Sequence, residues 1–233
     1  MKRSSTEDFL ERVRGGLIVS CQALPDEPLH GSVLMSRMAL AASLGGAAGI
    51  RANSVEDIQA ISKTVDLPII GLIKRVYPDA PQVYITPTLA EVAALAACNV
   101  AVIALDATAR RRPGGENLDR LFARAREKYP NQLFMADCAT LSEGLHAASL
   151  GFDLIGTTLA GYTEDTRGRD LPDFALLEDL VRGCKRPVVA EGGIWTPAEL
   201  RRALDLGAHA AVVGSAITRP LEITRRFVAA LTP

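Results

Sequence analysis

Lys74 closes an apolar run, Ile69-Ile-Gly-Leu-Ile73, so its stem is expected to be buried with the amine at a strand end. A lysine acts as a base only when neutral, and at its ordinary pKa of ~10.4 only about one in a thousand is neutral near pH 7.4. Burial and nearby cations lower that value, and Arg51 and Arg75 could supply the charge. Glu191 ends a second apolar run, Val188-Val-Ala190. A carboxylate at a dry strand end can serve as general acid or base, or polarise a hydroxyl. The plainer alternatives are a surface lysine at a strand terminus and a salt bridge between the two without chemistry.

Glycines point to a second kind of chemistry, anion binding. Glu191 runs into Gly192-Gly193, and a later apolar run ends in Gly214-Ser215-Ala216-Ile217. Glycine lets backbone amides approach a phosphate closely, and a helix starting near Ser215 would add its positive end. Arg219, one turn further on, can supply a charge-assisted bond. The competing reading is ordinary turn glycines. Polar residues also follow other apolar runs: Gln22, Arg51, Asp106, Asp137 and Thr157-Thr158. Asp137 is expected to orient a sugar hydroxyl or the lysine, and Asp106 to be structural. Arg110-Arg111-Arg112, followed by Pro113-Gly-Gly115, reads as a solvated loop; the rival reading is a rim that attracts an anionic substrate. His146 and His209 read as packing residues, and His30 as touching the loop after the first strand. Trp195 either packs a helix start or walls the phosphate pocket. The four cysteines, Cys21, Cys98, Cys138 and Cys184, are far apart and form no metal or CxxC pattern. They read as small buried hydrophobes of a reducing cytoplasm, with Cys138 set apart by its place at a strand end.

These residues need a scaffold that delivers them to one place. Continuous apolar runs at 17–21, 47–52, 69–74, 100–106, 133–138, 154–158, 188–191 and 211–214 read as eight strands buried on both faces of a parallel sheet. Amphipathic helices lie between them, for example Leu118, Leu121, Phe122 and Ala125 on one face. Thr88-Leu-Ala-Glu91, Thr140-Leu-Ser-Glu143 and Thr196-Pro-Ala-Glu199 each carry the T-x-x-E signature of a capping box; Ser54-Val-Glu-Asp57 is a weaker version. Gly151 and Gly207 sit where a helix end needs positive φ. Eight units over 233 residues, roughly 29 each, match an α/β fold of the (β/α)8 TIM-barrel type in a single domain, 1–233. The segment Ser5–Val13 reads as an extra N-terminal helix that plugs the barrel bottom. A doubly wound open sheet is the alternative, but it would show a glycine-rich loop after the first strand, where this chain has Gln22-Ala-Leu-Pro25. In a barrel, strand C-termini face the active site, so nearly every strand brings a polar group to one rim.

Composition narrows the classes. Twenty-six Lys plus Arg against 27 Asp plus Glu give a formal charge of −1, and aromatics are 5%. Neither favours nucleic acid or an anionic membrane as partner. The longest uncharged stretch, 92–105, is shorter than the roughly 18 residues a membrane helix needs. The charged start lacks the apolar segment of a signal peptide, so a cytoplasmic location is expected. The last helix, 221–231, carries Ile223, Phe227 and Leu231 on one stripe; it either closes the barrel or packs on a partner, and a homodimer is the reading preferred.

Several segments closely resemble one family. They are Gly16-Leu-Ile-Val-Ser-Cys-Gln22, Ile50-Arg51, Pro68-Ile-Ile-Gly-Leu-Ile-Lys74-Arg75, Ala104-Leu-Asp106 and Met135-Ala-Asp137, then Gly156-Thr-Thr-Leu-Ala-Gly-Tyr162-Thr, Ala190-Glu191-Gly192 and Val213-Gly-Ser-Ala-Ile-Thr-Arg219-Pro. In order and spacing, from about residue 15 to about 230, they resemble the N-acetylmannosamine-6-phosphate 2-epimerases. The resemblance implies an isomerase of sialic acid degradation that converts N-acetylmannosamine 6-phosphate to N-acetylglucosamine 6-phosphate. It implies that Lys74 transfers the C2 proton with help from Glu191, and that Gln22, Arg51 and Asp137 contact the sugar; Thr158, read from the end of its own apolar run, is a further expected substrate contact. Arg219, with the Gly192 and Gly214 loops, would hold phosphate, and no metal or organic cofactor is implied; Gly193 and Ser215 join that expected phosphate site from the glycine pattern itself. Many members carry a long polar residue where this chain has Gly193, and the loop 164–170 has no counterpart in the pattern. From the residues alone, a Schiff-base aldolase or lyase and a non-catalytic phosphosugar sensor stay open beside the epimerase.

Overall fold

The structure, a computed structural model, describes residues 5–231. Residues 1–4, part of the signal-peptide reading, and residues 232–233, the end of the single-domain expectation, lie outside them. Eight strands are present: β1 (Leu17–Cys21), β2 (Gly49–Asn53), β3 (Ile69–Leu72), β4 (Val102–Asp106), β5 (Leu133–Asp137), β6 (Leu154–Gly156), β7 (Val188–Glu191) and β8 (Ala210–Val213). They pair in parallel in chain order, and β8 returns to β1 to close a barrel. The open-sheet alternative is thereby excluded.

Helices surround the barrel: α1 (Ser5–Val13), α2 (Ser32–Leu44), α3 (Val55–Ser62), α4 (Leu89–Ala97), α5 (Leu118–Lys128), α6 (Leu141–Leu150), α7 (Phe174–Gly183), α8 (Pro197–Asp205), α9 (Ser215–Thr218) and α10 (Pro220–Ala229). Complete capping boxes start α4, α6 and α8, with the threonine accepting from the helix and the glutamate reaching back. Gly151, at φ 97°, ends α6 in the left-handed conformation.

Two apolar layers hold the fold. Inside the barrel, Ile18, Ile70, Val102, Leu133, Leu154 and Val189 pack with Phe9 and Val13 of α1. Val13 is fully buried, and His209 Nε2 bonds Leu10 O at 2.8 Å, so α1 plugs the N-terminal end as its pattern foretold. Outside, strand residues such as Ile50, Ile103 and Phe134 meet Ile58, Leu95 and Phe122 of the helices. Phe122 stacks on Phe152 at 3.8 Å and meets Phe134 edge-on at 5.5 Å.

Several expectations need correction. The second strand starts at Gly49, not 47, because Ala47 N–H bonds back to Ala42 O as α2 closes. The third stops at Leu72, so Lys74 lies beyond the sheet. Arg112 is not solvated: it is 1% exposed, with one guanidinium nitrogen on Pro87 O at 3.3 Å. Arg110 folds back onto Asp106 at 2.8 Å, and only Arg111 is exposed. The buried Asp106 carboxylate draws both charges inward, which composition could not show. His146 does not pack; it pairs with Asp119 on the surface at 2.7 Å. Cys98 and Cys184 are only partly buried. Helix α10 buries no side chain and rests on α9, so it does not close the barrel.

Candidate active site

A cavity of about 210 Å³ opens at the C-terminal mouth of the barrel. Gln22, Arg51, Lys74, Thr158, Glu191 and Arg219 all line it. The parallel register places Asp106 opposite Asp137 and Glu191 opposite Val212, and Asp106, Asp137 and Glu191 each end their own strands.

Arg51 is the centre of the buried charge. Its guanidinium grips Asp137 in a fork, Nη1 to Oδ1 at 3.1 Å and Nη2 to Oδ2 at 2.6 Å, and Nη1 also meets Glu191 Oε2 at 3.2 Å. Burial works against its positive charge, but Asp137 and Glu191 outweigh burial and hold its pKa above the ordinary value. Thr158 Oγ1 donates to Asp137 Oδ1 at 2.6 Å and lies 3.3 Å from Glu191 Oε2. Asp137 is wholly buried and does not line the cavity; it reaches the site through Arg51 and Thr158. Gln22 donates Nε2 to Ser20 Oγ at 2.9 Å, while its buried Oε1 has no partner.

Lys74 and Glu191 are tuned toward each other. Burial, followed by the Arg51 and Arg219 cations, pushes the Lys74 amine down to about 8 against the pull of Glu191 and Glu27. Burial raises Glu191 to about 7, with Asp137 adding to it and Arg51, Thr158 and Lys74 opposing. From ordinary values of 10.5 and 4.5, handing a proton from lysine to glutamate would cost about 8 kcal/mol. With the values brought to about 8 and about 7, the same transfer costs on the order of 1 kcal/mol. A base and an acid of this kind can exchange roles near neutral pH.

Glycines border the same cavity. Gly192 (φ 105°) and Gly193 (φ 72°) border the cavity with Gly214, Ser215 and Trp195. At the start of α9 the amides of Ile217 and Thr218 bond Gly214 O at 2.8 and 2.9 Å, so the helix N-terminus meets the cavity at Gly214 and Ser215. Thr218 Oγ1 donates to Ser20 O at 2.7 Å, which ties α9 to β1. Arg219 pairs with Glu27 across the loop after β1. A Cβ on Gly193 would stand 2.3 Å from Leu171 Cβ. The chain that follows the 164–170 loop therefore occupies the space that a side chain at 193 would need. Trp195 both lines the cavity and lies under Arg226 of α10 at 4.7 Å.

Other residues behave as scaffold. Asp106 accepts from Thr108 and Arg110 and stays buried. His30 Nδ1 meets Ala23 O at 3.2 Å in the loop after β1. Burial drives the Cys138 thiol well above its usual pKa, which suits packing rather than nucleophilic chemistry. Among the described residues no group of three or more His, Cys, Asp or Glu could hold a metal ion, and no helix is long and apolar enough to cross a membrane. Tyr84 and Tyr162 line the cavity although neither was singled out as a site residue. Tyr84 sits in an aperiodic loop that carries no sequence signal; Tyr162 lies in the Gly-Tyr-Thr segment, which did. Asn53, Thr86 and Glu27, which touch Lys74, its strand exit and Arg219, were also missed.

A closed (β/α)8 barrel with ionisable groups and glycine loops converging on its C-terminal mouth is the architecture of a barrel enzyme. A family model described as "Putative N-acetylmannosamine-6-phosphate epimerase" matches residues 35–233, and the chain belongs to that family. A Lactiplantibacillus plantarum protein named "Putative N-acetylmannosamine-6-phosphate 2-epimerase" is 57% identical over 96% of this chain and 98% of its own. A Listeria monocytogenes protein of the same name is 52% identical over 94% and 92%. Among solved structures, the N-acetylmannosamine-6-phosphate 2-epimerase from Clostridium perfringens superposes with a TM-score of 0.91 at 54% identity, covering 95% of each chain. A thiamine phosphate pyrophosphorylase from Pyrococcus furiosus, at 21% identity and a TM-score of 0.61, shares the fold.

Proposed function

We propose that this chain interconverts N-acetylmannosamine 6-phosphate and N-acetylglucosamine 6-phosphate in sialic acid degradation, as a single-domain cytoplasmic enzyme. The observation that carries the reading is Lys74 and Glu191, with nearly matched proton affinities, beside the buried Arg51 in a cavity also lined by Gly192, Gly193 and Gly214. Inverting C2 requires removing the proton α to the C1 aldehyde of the open-chain sugar. Neutral Lys74 takes that proton, and the electron pair of the C2–H bond moves into C1–C2 as the carbonyl bond opens onto O1. Glu191 in its protonated form donates to O1, and Arg51 stabilises the negative charge developing there. A proton then adds to the opposite face of C2 with the electron pair of the C1–C2 double bond, while the O1–H proton returns to Glu191 and the C1 carbonyl re-forms, which completes the inversion. Gln22 and Thr158 hold sugar hydroxyls, while Asp137 orients Arg51 and Thr158 from behind. Gly192, Gly193, Gly214, Ser215 and Arg219 anchor the phosphate, whose binding energy positions the distant reacting carbon. The exposed Phe227, Val228 and Leu231 near the C-terminus support a homodimer, which light scattering on the eluted protein tests.

NMR in deuterated solvent with N-acetylmannosamine 6-phosphate tests the assignment. Deuterium should appear at C2 with formation of the second sugar, and Lys74→Ala should abolish both while remaining folded. Full exchange in that variant would remove Lys74 from the mechanism. A borohydride-trapped substrate adduct on Lys74 would instead support imine chemistry.

A further inference from the structure

Lys74 stands two residues beyond the end of β3, where neither neighbouring strand can hold it. Parallel pairing of Asn53 with Leu72 continues as Ser54 N–H bonds Leu72 O at 3.0 Å. The next acceptor in that ladder would be Ser54 O, but it takes Ile58 N–H at 3.2 Å as α3 begins. The side chain of Asn53 fills the gap: its Oδ1 accepts Lys74 N–H at 2.7 Å. On the other side, residues 84–86 insert between the chain leaving β3 and the end of β4. Thr86 N–H bonds Ile73 O at 2.8 Å, Thr86 Oγ1 accepts Ile73 N–H at 3.2 Å, and Ile85 O accepts Asp106 N–H at 3.0 Å. Lys74 and Ile85 form an isolated antiparallel bridge, and Arg75 N–H reaches Tyr84 O at 2.9 Å.

Thr86 makes these bonds at φ 46°, wholly buried. A β-branched residue in the left-handed region is an outlier whose strain persists only where its surroundings over-determine it. Here the hydroxyl and the amide of one residue both grip Ile73.

The geometry points to Asn53 and Thr86 as positioning residues for the epimerisation: they clamp the backbone at 73–74 from both sides and so aim the Lys74 amine at the cavity. This rests on the proposed role of Lys74. Neither residue lines the cavity, so each acts through Lys74 and not on the substrate.

Thr86→Val keeps the β-branched shape and its strain while deleting the hydroxyl, Thr86→Ser restores the hydroxyl, and Asn53→Ala removes the other clamp. Misplacing a catalytic group by an ångström can cost on the order of a hundredfold. Thr86→Val and Asn53→Ala are therefore expected to lower kcat about tenfold or more, with KM within about threefold because the phosphate anchor is untouched. Thr86→Ser is expected within about twofold of the parent, and the acid limb of the pH–rate profile should move in the two impaired variants. Folded variants with an unaltered kcat, a loss shared equally by kcat and KM, or no rescue by serine would overturn the assignment. If Thr86→Val fails to fold, Asn53→Ala alone decides. Lys74→Ala separates the two readings. Exchange at C2 that survives it defeats the role of Lys74 itself; exchange abolished there but normal in the clamp variants defeats only the clamp.

Discussion

Replacing Lys74 with methionine should destroy activity and make the protein more stable. The amine gives up its proton more readily in the folded chain, at about 8, than at its ordinary 10.5. Folding therefore carries a penalty that is complete below about pH 8 and fades as pH rises toward 10.5. A shift of this size corresponds to about 3 kcal/mol at pH 7. Methionine fills a similar volume without a charge, so Lys74→Met should recover most of that energy. For a chain of this length each kcal/mol moves the midpoint by about 2–4 °C, so thermal unfolding followed by circular dichroism should show a rise of roughly 6–12 °C at pH 7. The gain should shrink steadily when the pair of proteins is compared at pH 8, 9 and 10. Equal midpoints at pH 7, or a gap that does not change with pH, would refute the claim that Lys74 is held charged at a cost. The same variant should show no deuterium at C2, so one substitution reads both the stored energy and its use.

Three further outcomes follow from the same site. Arg51→Met leaves Asp137 and Glu191 buried without their cation and should cost about 3–5 kcal/mol; since Arg51 holds the Glu191 pKa down, the stranded carboxylate takes up a proton more readily, and urea denaturation should show a smaller loss at pH 5 than at pH 8. Wild-type activity should peak between about pH 7 and 8, falling below as Lys74 is protonated and above as Glu191 loses its proton; in Glu191→Gln the alkaline fall should vanish from the kcat/KM profile while the acid one stays. Gly193→Ala forces an L side chain to φ 72° and a Cβ against Leu171, so it should lose at least about 1–2 kcal/mol in denaturation and raise KM more than it lowers kcat.

The barrel was legible because parallel strands buried on both faces must be continuously apolar, and eight such runs at roughly 29 residues each matched a closed barrel, with the open sheet excluded by the pairing of β8 with β1. The T-x-x-E starts were legible because a capping box is closed within four residues, and all three formed. Lys74 and Glu191 could be picked out because each ends an apolar run and the barrel rule then sends it to the mouth, and Arg51 because it is the one charge within its run. What the sequence hid depends on contacts between distant segments. Nothing near Arg112 announces that Asp106 and Pro87 enclose it. Asp137 looks like a substrate ligand until the Arg51 fork is seen to cover it. The glycine at 193 looks like a missing contact, yet Leu171, 22 positions earlier, is what fills its space. The clamp on Lys74 was equally invisible, since a strand's end is set by where its neighbours turn away.

Helix α1, seated on the interior core with Val13 fully buried, gives the barrel a closed floor. Among the described residues, the cavity of the proposed reaction then opens at the C-terminal mouth, which sugar, product and solvent protons would share. A proton taken from C2 would escape to water past whatever fills that mouth. While the phosphosugar is bound it would act as the stopper, slowing the exchange of the captured proton with solvent deuterium without abolishing it. The ratio of solvent isotope incorporated to product formed thus becomes a gauge of how tightly a sugar seals its own entrance, and loosening the phosphate wall at Gly193 or Arg219 should raise it.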